Sequence, residues 1–230
     1  MLGIIGAMEV EVEKLREMMA EPQVQTVAGM TFYQGTIKGK DVVVVRSGIG
    51  KVNAGLCSQI LVDRYHVDGI VNTGIAGSLK NEVNVGDIVL STSAVQHDMD
   101  ATGFGYPVGE IPQMGIKEFP ADRHLLELAQ KCCMRANPDI QTFPGRVASG
   151  DQFINSREKK NWIRDTFDAY CTEMEGAAVA QAAYLNHVPY LIVRAISDKA
   201  DDSANVDYNE FEAKAVEHSV RLMAAMLEEL

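Results

Sequence analysis

"YLIVRAISDKADD", running from Tyr190 to Asp202, decides how the chain is read. It opens as the short apolar run of a parallel strand covered on both faces, then turns abruptly to Arg194, Ser197 and Asp198. In open α/β sheets the C-terminal ends of such strands face the ligand crevice, which makes Asp198 a candidate site residue. The plain alternative is that Arg194 and Asp198 are solvated loop residues or pair with each other. Outward from this stretch the same rhythm recurs. Strands are predicted over 2–5, 31–37, 41–47, 69–73, 87–94, 142–149 and 190–196, and helices over 8–19, 52–65, 122–137, 156–166, 176–186 and 208–230. The "KGK" connection at Lys38 to Lys40 is hairpin-sized, so one strand pair is antiparallel and the sheet is mixed. The pattern predicts an α/β, three-layer αβα fold with a central mixed twisted sheet.

With 230 residues and neither an internal repeat nor a linker composition, the chain is expected to form one domain over 1–230. A formal charge of −11 argues against nucleic acid and against anionic membrane surfaces. No apolar run approaches the ~20 residues of a membrane span, and the N-terminus lacks a signal pattern, so a soluble cytoplasmic protein is expected. Cys57, Cys132, Cys133 and Cys171 have no CxxC spacing and read as reduced thiols. The histidines show no ligand spacing. "HDMD" at His97 to Asp100 is the one metal-like cluster, and a polar loop explains it better, so no metal site is expected.

Several stretches carry possible chemistry. In "GIIGAMEVEVEKL", Glu11 falls in line with Met8, Val12, Leu15, Met18 and Met19, which puts a carboxylate on the inward stripe of a helix. Burial there raises its pKa toward the range of a general base, and a helix N-terminus favouring acids is the alternative. Three glycine-bearing stretches, "GIIGAME", "SGIGKVNAG" and "NTGIAGS", read as turns after strands and complete neither a dinucleotide fingerprint nor a P-loop. "SGDQFIN" offers Phe153 to stack on a base and the Ile154 backbone to bond its edge. "TEMEG" sets Glu173 and Glu175 before an alanine-rich helix, where a carboxylate can accept from vicinal hydroxyls or serve the helix dipole. From His97 to Pro120 a glycine- and proline-rich loop carries Phe104 and Tyr106, and loops of this length are usually functional or interfacial.

Taken together and in order, "GIIGAMEVEV", "SGIGKVNAG", "NTGIAG", "VGDIV", "HDMDATGFGY", "SGDQFIN", "EMEG" and "VRAISDKAD" make the chain resemble the 5′-methylthioadenosine/S-adenosylhomocysteine nucleosidases of the nucleoside phosphorylase-like fold. The resemblance spans nearly the whole chain. It implies hydrolysis of the N-glycosidic bond of an adenine nucleoside with a 5′-thio group, 5′-deoxyadenosine included, within methionine salvage, by a cofactor-free homodimer. By the same resemblance Glu11 is the base that activates water and Asp198 the acid that protonates adenine N7, with Arg194 orienting the water and Ser197 orienting Asp198. Glu175 and the Met174 backbone match the ribose anchors, Phe153 and Ile154 the adenine clamp, and Gly77 a substrate-contacting backbone position. Met8, Ile49, Met174 and Tyr208 match the lining around the 5′-thio group. Phe104, Tyr106 and Pro112 match positions that cap a neighbouring subunit's pocket.

Two departures accompany the match. Ile75 and Ser78 stand in "NTGIAGS" where the family usually has Ser and Gly, which removes a hydroxyl near the attacking water, and Tyr208 stands where Phe is common. The alternatives are hydrolysis of another adenine nucleoside of the aminofutalosine type, phosphorolysis, and a nucleoside-binding sensor without turnover. Phosphorolysis calls for arginines on a phosphate. Arg46 is the obvious one at an early strand end.

Overall fold

A computed structural model describes residues 1–202 and 204–230, with the side chains of residues 205–210 outside the description. Four valines with no exposure, Val42 to Val45, form the middle of β4 (Lys40–Arg46), and only a strand covered on both faces can bury such a run. β1 (Leu2–Gly6) lies parallel between β4 and β5 (Gly69–Ser78), while β3 (Met30–Ile37) and β2 (Ala20–Val27) extend the edge as antiparallel strands. The turn between β3 and β4 uses Lys38 and Gly39, both at positive φ, as the hairpin reading requires.

On its other side β5 pairs parallel with β10 (Tyr190–Asp198) and, at Gly77 and Ser78, antiparallel with β9 (Ala169–Glu173). β6 (Ile88–Gln96) and β8 (Thr142–Ser149) link β10 to β9, so these five strands curl into a ring. β7 (Glu118–Pro120) adds to β6. Helices α1 (Glu9–Glu17), α3 (Arg123–Ala136) and α6 (Ala204–Glu229) cover one face. Helices α2 (Lys51–Tyr65) and α5 (Gly176–Leu185) cover the other, and α4 (Arg157–Phe167) packs near β8 and β9. The fold is thus the αβα arrangement of the sequence reading, with added ring closure.

Three differences from the sequence reading have physical causes. β2 escapes periodicity because it is a polar edge strand whose residues are almost all exposed. "NTGIAGS" is not a turn: β5 continues through it to Ser78, and its glycines serve close packing rather than reversal. The α1 stripe ends early, because Met18 is 44% exposed beyond the helix while Val12 and Leu15 are fully buried. No helix among the described residues is long and apolar enough to cross a membrane. The four cysteines are buried and free.

Candidate functional site

The C-terminal ends of β5, β9 and β10 meet the start of α1 around a cavity of about 150 Å³. Of the residues singled out in the sequence, Met8, Glu11, Ile49, Gly77, Phe153, Met174, Glu175, Ser197 and Asp198 line it, together with Ile75, Ala76, Thr172 and Glu173.

Glu11 occupies the third position of α1 and turns back over the helix start. Its Oε2 accepts from the backbone N–H of Ala7 at 2.6 Å and of Met8 at 2.9 Å, and Oε1 accepts from Ile75 N–H at 3.2 Å. The helix-start and inward-stripe readings are therefore both realised by one side chain. Burial pushes its carboxyl above the usual range, against the opposing pull of the Arg194 charge and three backbone donors. Gly74 makes room for it, since a Cβ there would stand 2.6 Å from Glu11 Oε1 and 3.0 Å from Arg194 Nη1.

Arg194 does not line the cavity. It is fully buried beneath, its Nε donating to Glu173 Oε2 at 3.1 Å and its Nη1 to the Asn72 carbonyl at 3.3 Å, while Nη2 reaches Glu173 and the Asn72 side chain. It pairs with Glu173, not with Asp198. Burial alone would raise Glu173, but Arg194, Ser149 and the Gly176 N–H outweigh it and hold that carboxyl low. Glu175 sits 4.0 Å from Arg194 and accepts from Gly50 N–H at 2.8 Å. Burial, reinforced by the negative charge of Glu173, pushes Glu175 up to about 7. One buried guanidinium thus faces three carboxylates, of which only Glu173 is fully matched.

Asp198 closes β10 just past a register shift between Ile196 and Asp198. Ser197 Oγ donates to its Oδ2 at 2.8 Å, and Ala200 N–H donates to its Oδ1 at 2.7 Å from a left-handed backbone. A Cβ at Gly77 would stand 2.7 Å from Oδ1, so this carboxylate, like Glu11, rests against a glycine of β5.

Phe153 lies half-exposed at the rim, whereas Ile154 packs into an apolar cluster with Leu79 and Ala200. Phe104, 87% exposed on a 3₁₀ turn, does not line this cavity, nor do Tyr106 and Pro112. The side chain of Tyr208 lies outside the described residues. The "HDMD" stretch is spent on the loop: Asp98 pairs with Lys51 at 2.5 Å and accepts from Asp151 N–H, while Asp100 accepts from Thr102. Burial lowers His97 to about 4, so its ring is neutral over Gly150. Among the described residues no three His, Cys, Asp or Glu side chains converge as a metal site. Sequence reading missed Asn72 and Ser149 as supports, and it gave Glu173 no role distinct from Glu175. Their partners lie up to 122 residues away, and no local pattern announces them.

Residues 1–229 match the family model described as the phosphorylase superfamily. The chain is 43% identical to the 5′-methylthioadenosine/S-adenosylhomocysteine nucleosidase of Bacillus thuringiensis (strain Al Hakam), over 100% of this chain and 99% of that one. Among solved structures it is similar to the Neisseria meningitidis nucleosidase of the same name in complex with methylthio-immucillin-A, with a TM-score of 0.95, 37% identity and coverage of 100% and 99%. The nucleosidase from Colwellia psychrerythraea 34H in complex with adenine gives a TM-score of 0.95 at 39% identity, covering 100% of this chain and 95% of that one.

Proposed function

The chain belongs to the phosphorylase superfamily and, within it, to the 5′-methylthioadenosine/S-adenosylhomocysteine nucleosidases, and from that premise we propose how its residues divide the reaction. The enzyme hydrolyses the N-glycosidic bond of these nucleosides to adenine and the thioribose. Asp198 gives a proton to adenine N7 as the N9–C1′ bond breaks and the electron pair departs with the base. Water adds to the oxocarbenium-like C1′, and Glu11 takes the water's proton. Glu175 accepts from the ribose hydroxyls, Phe153 stacks on the base with Ile154 at its edge, and Met8, Ile49 and Met174 surround the 5′-thioether. Arg194 acts through Glu173 and Glu11, holding the base's side of the cavity in register.

The observation that carries this division is the pair of carboxylates Glu11 and Asp198 on one cavity, each against its own glycine of β5. Gly77 lies three positions after Gly74, ~10 Å along a strand, enough to put a nucleoside between a base and an acid. We further propose a homodimer in which Phe104, Tyr106 and Pro112 cap the other copy's cavity. The exposed Phe104, the exposed cavity-lining Ile49, and the exposed Val52 and Leu56 on the following helix α2 support that reading.

Adenine release from both nucleosides, with and without phosphate, tests the function. Equal rates and a free reducing sugar are expected. Release only with phosphate, giving a sugar 1-phosphate, would contradict it.

A further inference from the structure

Arg46 ends β4 and Glu9 opens α1, and neither is used by the chemistry above. Their side chains approach to 3.7 Å at the edge of a second cavity of about 410 Å³. Its lining adds Ser47 and Gly48 to Ala7, Met8 and Ile49, and the last three also line the first cavity. Asp198, Phe153 and Gly77 line the first cavity only. The second cavity therefore opens from the end remote from the base. A substituent leaving the 5′ carbon passes the apolar Met8 and Ile49 and then meets a positive group, Arg46, and a negative group, Glu9.

We propose that this second cavity binds the α-amino-acid end of S-adenosylhomocysteine, the carboxylate on Arg46 and the ammonium on Glu9. The inference rests on the nucleosidase reading and adds what distinguishes its two substrates. Glu9 is held in place by Arg16, so one member of the pair is fixed before a ligand arrives. Arg46 is 57% exposed and Glu9 44%, so their mutual attraction is weak and easily exchanged. An amino acid carries both charges on one carbon. It replaces one loose contact by two, and the planar guanidinium suits a carboxylate. The methylthio group carries neither charge and gains nothing from the pair. Arg46 and Glu9 are thus specificity-determining residues for the longer substrate.

The test is kcat/KM for S-adenosylhomocysteine, for 5′-methylthioadenosine and for S-adenosyl-3-thiopropylamine, which keeps the ammonium and lacks the carboxylate. Arg46→Met is expected to lower the ratio of S-adenosylhomocysteine to methylthioadenosine about tenfold, with the amine analogue following methylthioadenosine. Glu9→Gln is expected to lower the ratio for both ammonium-bearing substrates, by about three- to tenfold. An unchanged ratio in Arg46→Met, or an amine analogue that suffers as much as S-adenosylhomocysteine, would overturn the proposal. Should the parent enzyme cleave none of the three, it is the nucleosidase reading that fails. Calorimetric Kd values for the same ligands would then still decide the site, by the same ratios.

Discussion

The two ends of the cavity solve the problem of a buried carboxylate in opposite ways. At the Asp198 end one acid has local support, from the adjacent Ser197 hydroxyl and the Ala200 N–H two residues on. At the Glu11 end three carboxylates, Glu11 from α1 and Glu173 and Glu175 from the segment ahead of α5, share Arg194, and their protons are distributed by competition: Glu173 is held low, Glu175 rises to about 7 and Glu11 is raised. The first arrangement places a group. The second sets protonation, so a change at one carboxylate there reaches the others.

Removing the acid should have the largest effect. Asp198→Asn is expected to lower kcat by about 10³-fold with KM changed only a few-fold, because the lost interaction exists only as the bond breaks. Initial rates of adenine release measure it, and thermal melting should find stability near the parent's.

Glu173→Gln tests the shared end. It leaves Arg194 without its matched partner and is expected to cost about 3–5 kcal/mol of stability, read by urea titration. A loss below about 1 kcal/mol would show that Asn72 and Glu175 suffice and would weaken the contrast between the ends.

Glu175 gives a sign as well as a size. Its folded pKa of about 7 lies above the ordinary 4.5, so the folded state holds the extra proton. Stability from this group is full below the ordinary value and falls as pH rises toward about 7. Glu175→Gln, neutral at every pH, should therefore melt about 2–6 °C above the parent at pH 8, with little difference at pH 4.5, while kcat/KM falls. An equal shift at both pH values would contradict the proton distribution.

The paired glycines sharpen the comparison further. Gly77→Ala should displace Asp198 and lower kcat about tenfold, since the added carbon meets its Oδ1 at 2.7 Å and the Ala200 Cβ at 2.8 Å. Gly74→Ala meets both Glu11 and Arg194 and should lower stability along with kcat.

The contrast also explains what could be read in the sequence. Asp198 with Ser197, and Glu11 on its helix, are visible because Ser197 adjoins Asp198 and the Ala7 and Met8 donors lie within a helical turn of Glu11. The alternating sheet and most helices are visible for the same reason. The Arg194 cluster is not, because Asn72, Glu173 and Arg194 meet only after β5, β9 and β10 have paired. "NTGIAGS" misleads because glycine signals a turn locally, whereas here it clears space for two carboxylates on a continuing strand. Ile75, where the resemblance expects a serine, gives its backbone N–H to Glu11, so the proposed base has this support without a side-chain hydroxyl.

The division of labour itself is tested most directly by changing the leaving group. Adenine needs a proton to depart, whereas p-nitrophenolate does not, so cleavage of p-nitrophenyl 5-methylthioriboside bypasses the acid. The account predicts that Asp198→Asn, crippled on methylthioadenosine, regains most of the parent's rate on this compound while Glu11→Gln stays slow on both. An Asp198→Asn variant equally slow on both substrates would show that Asp198 does not act as the acid.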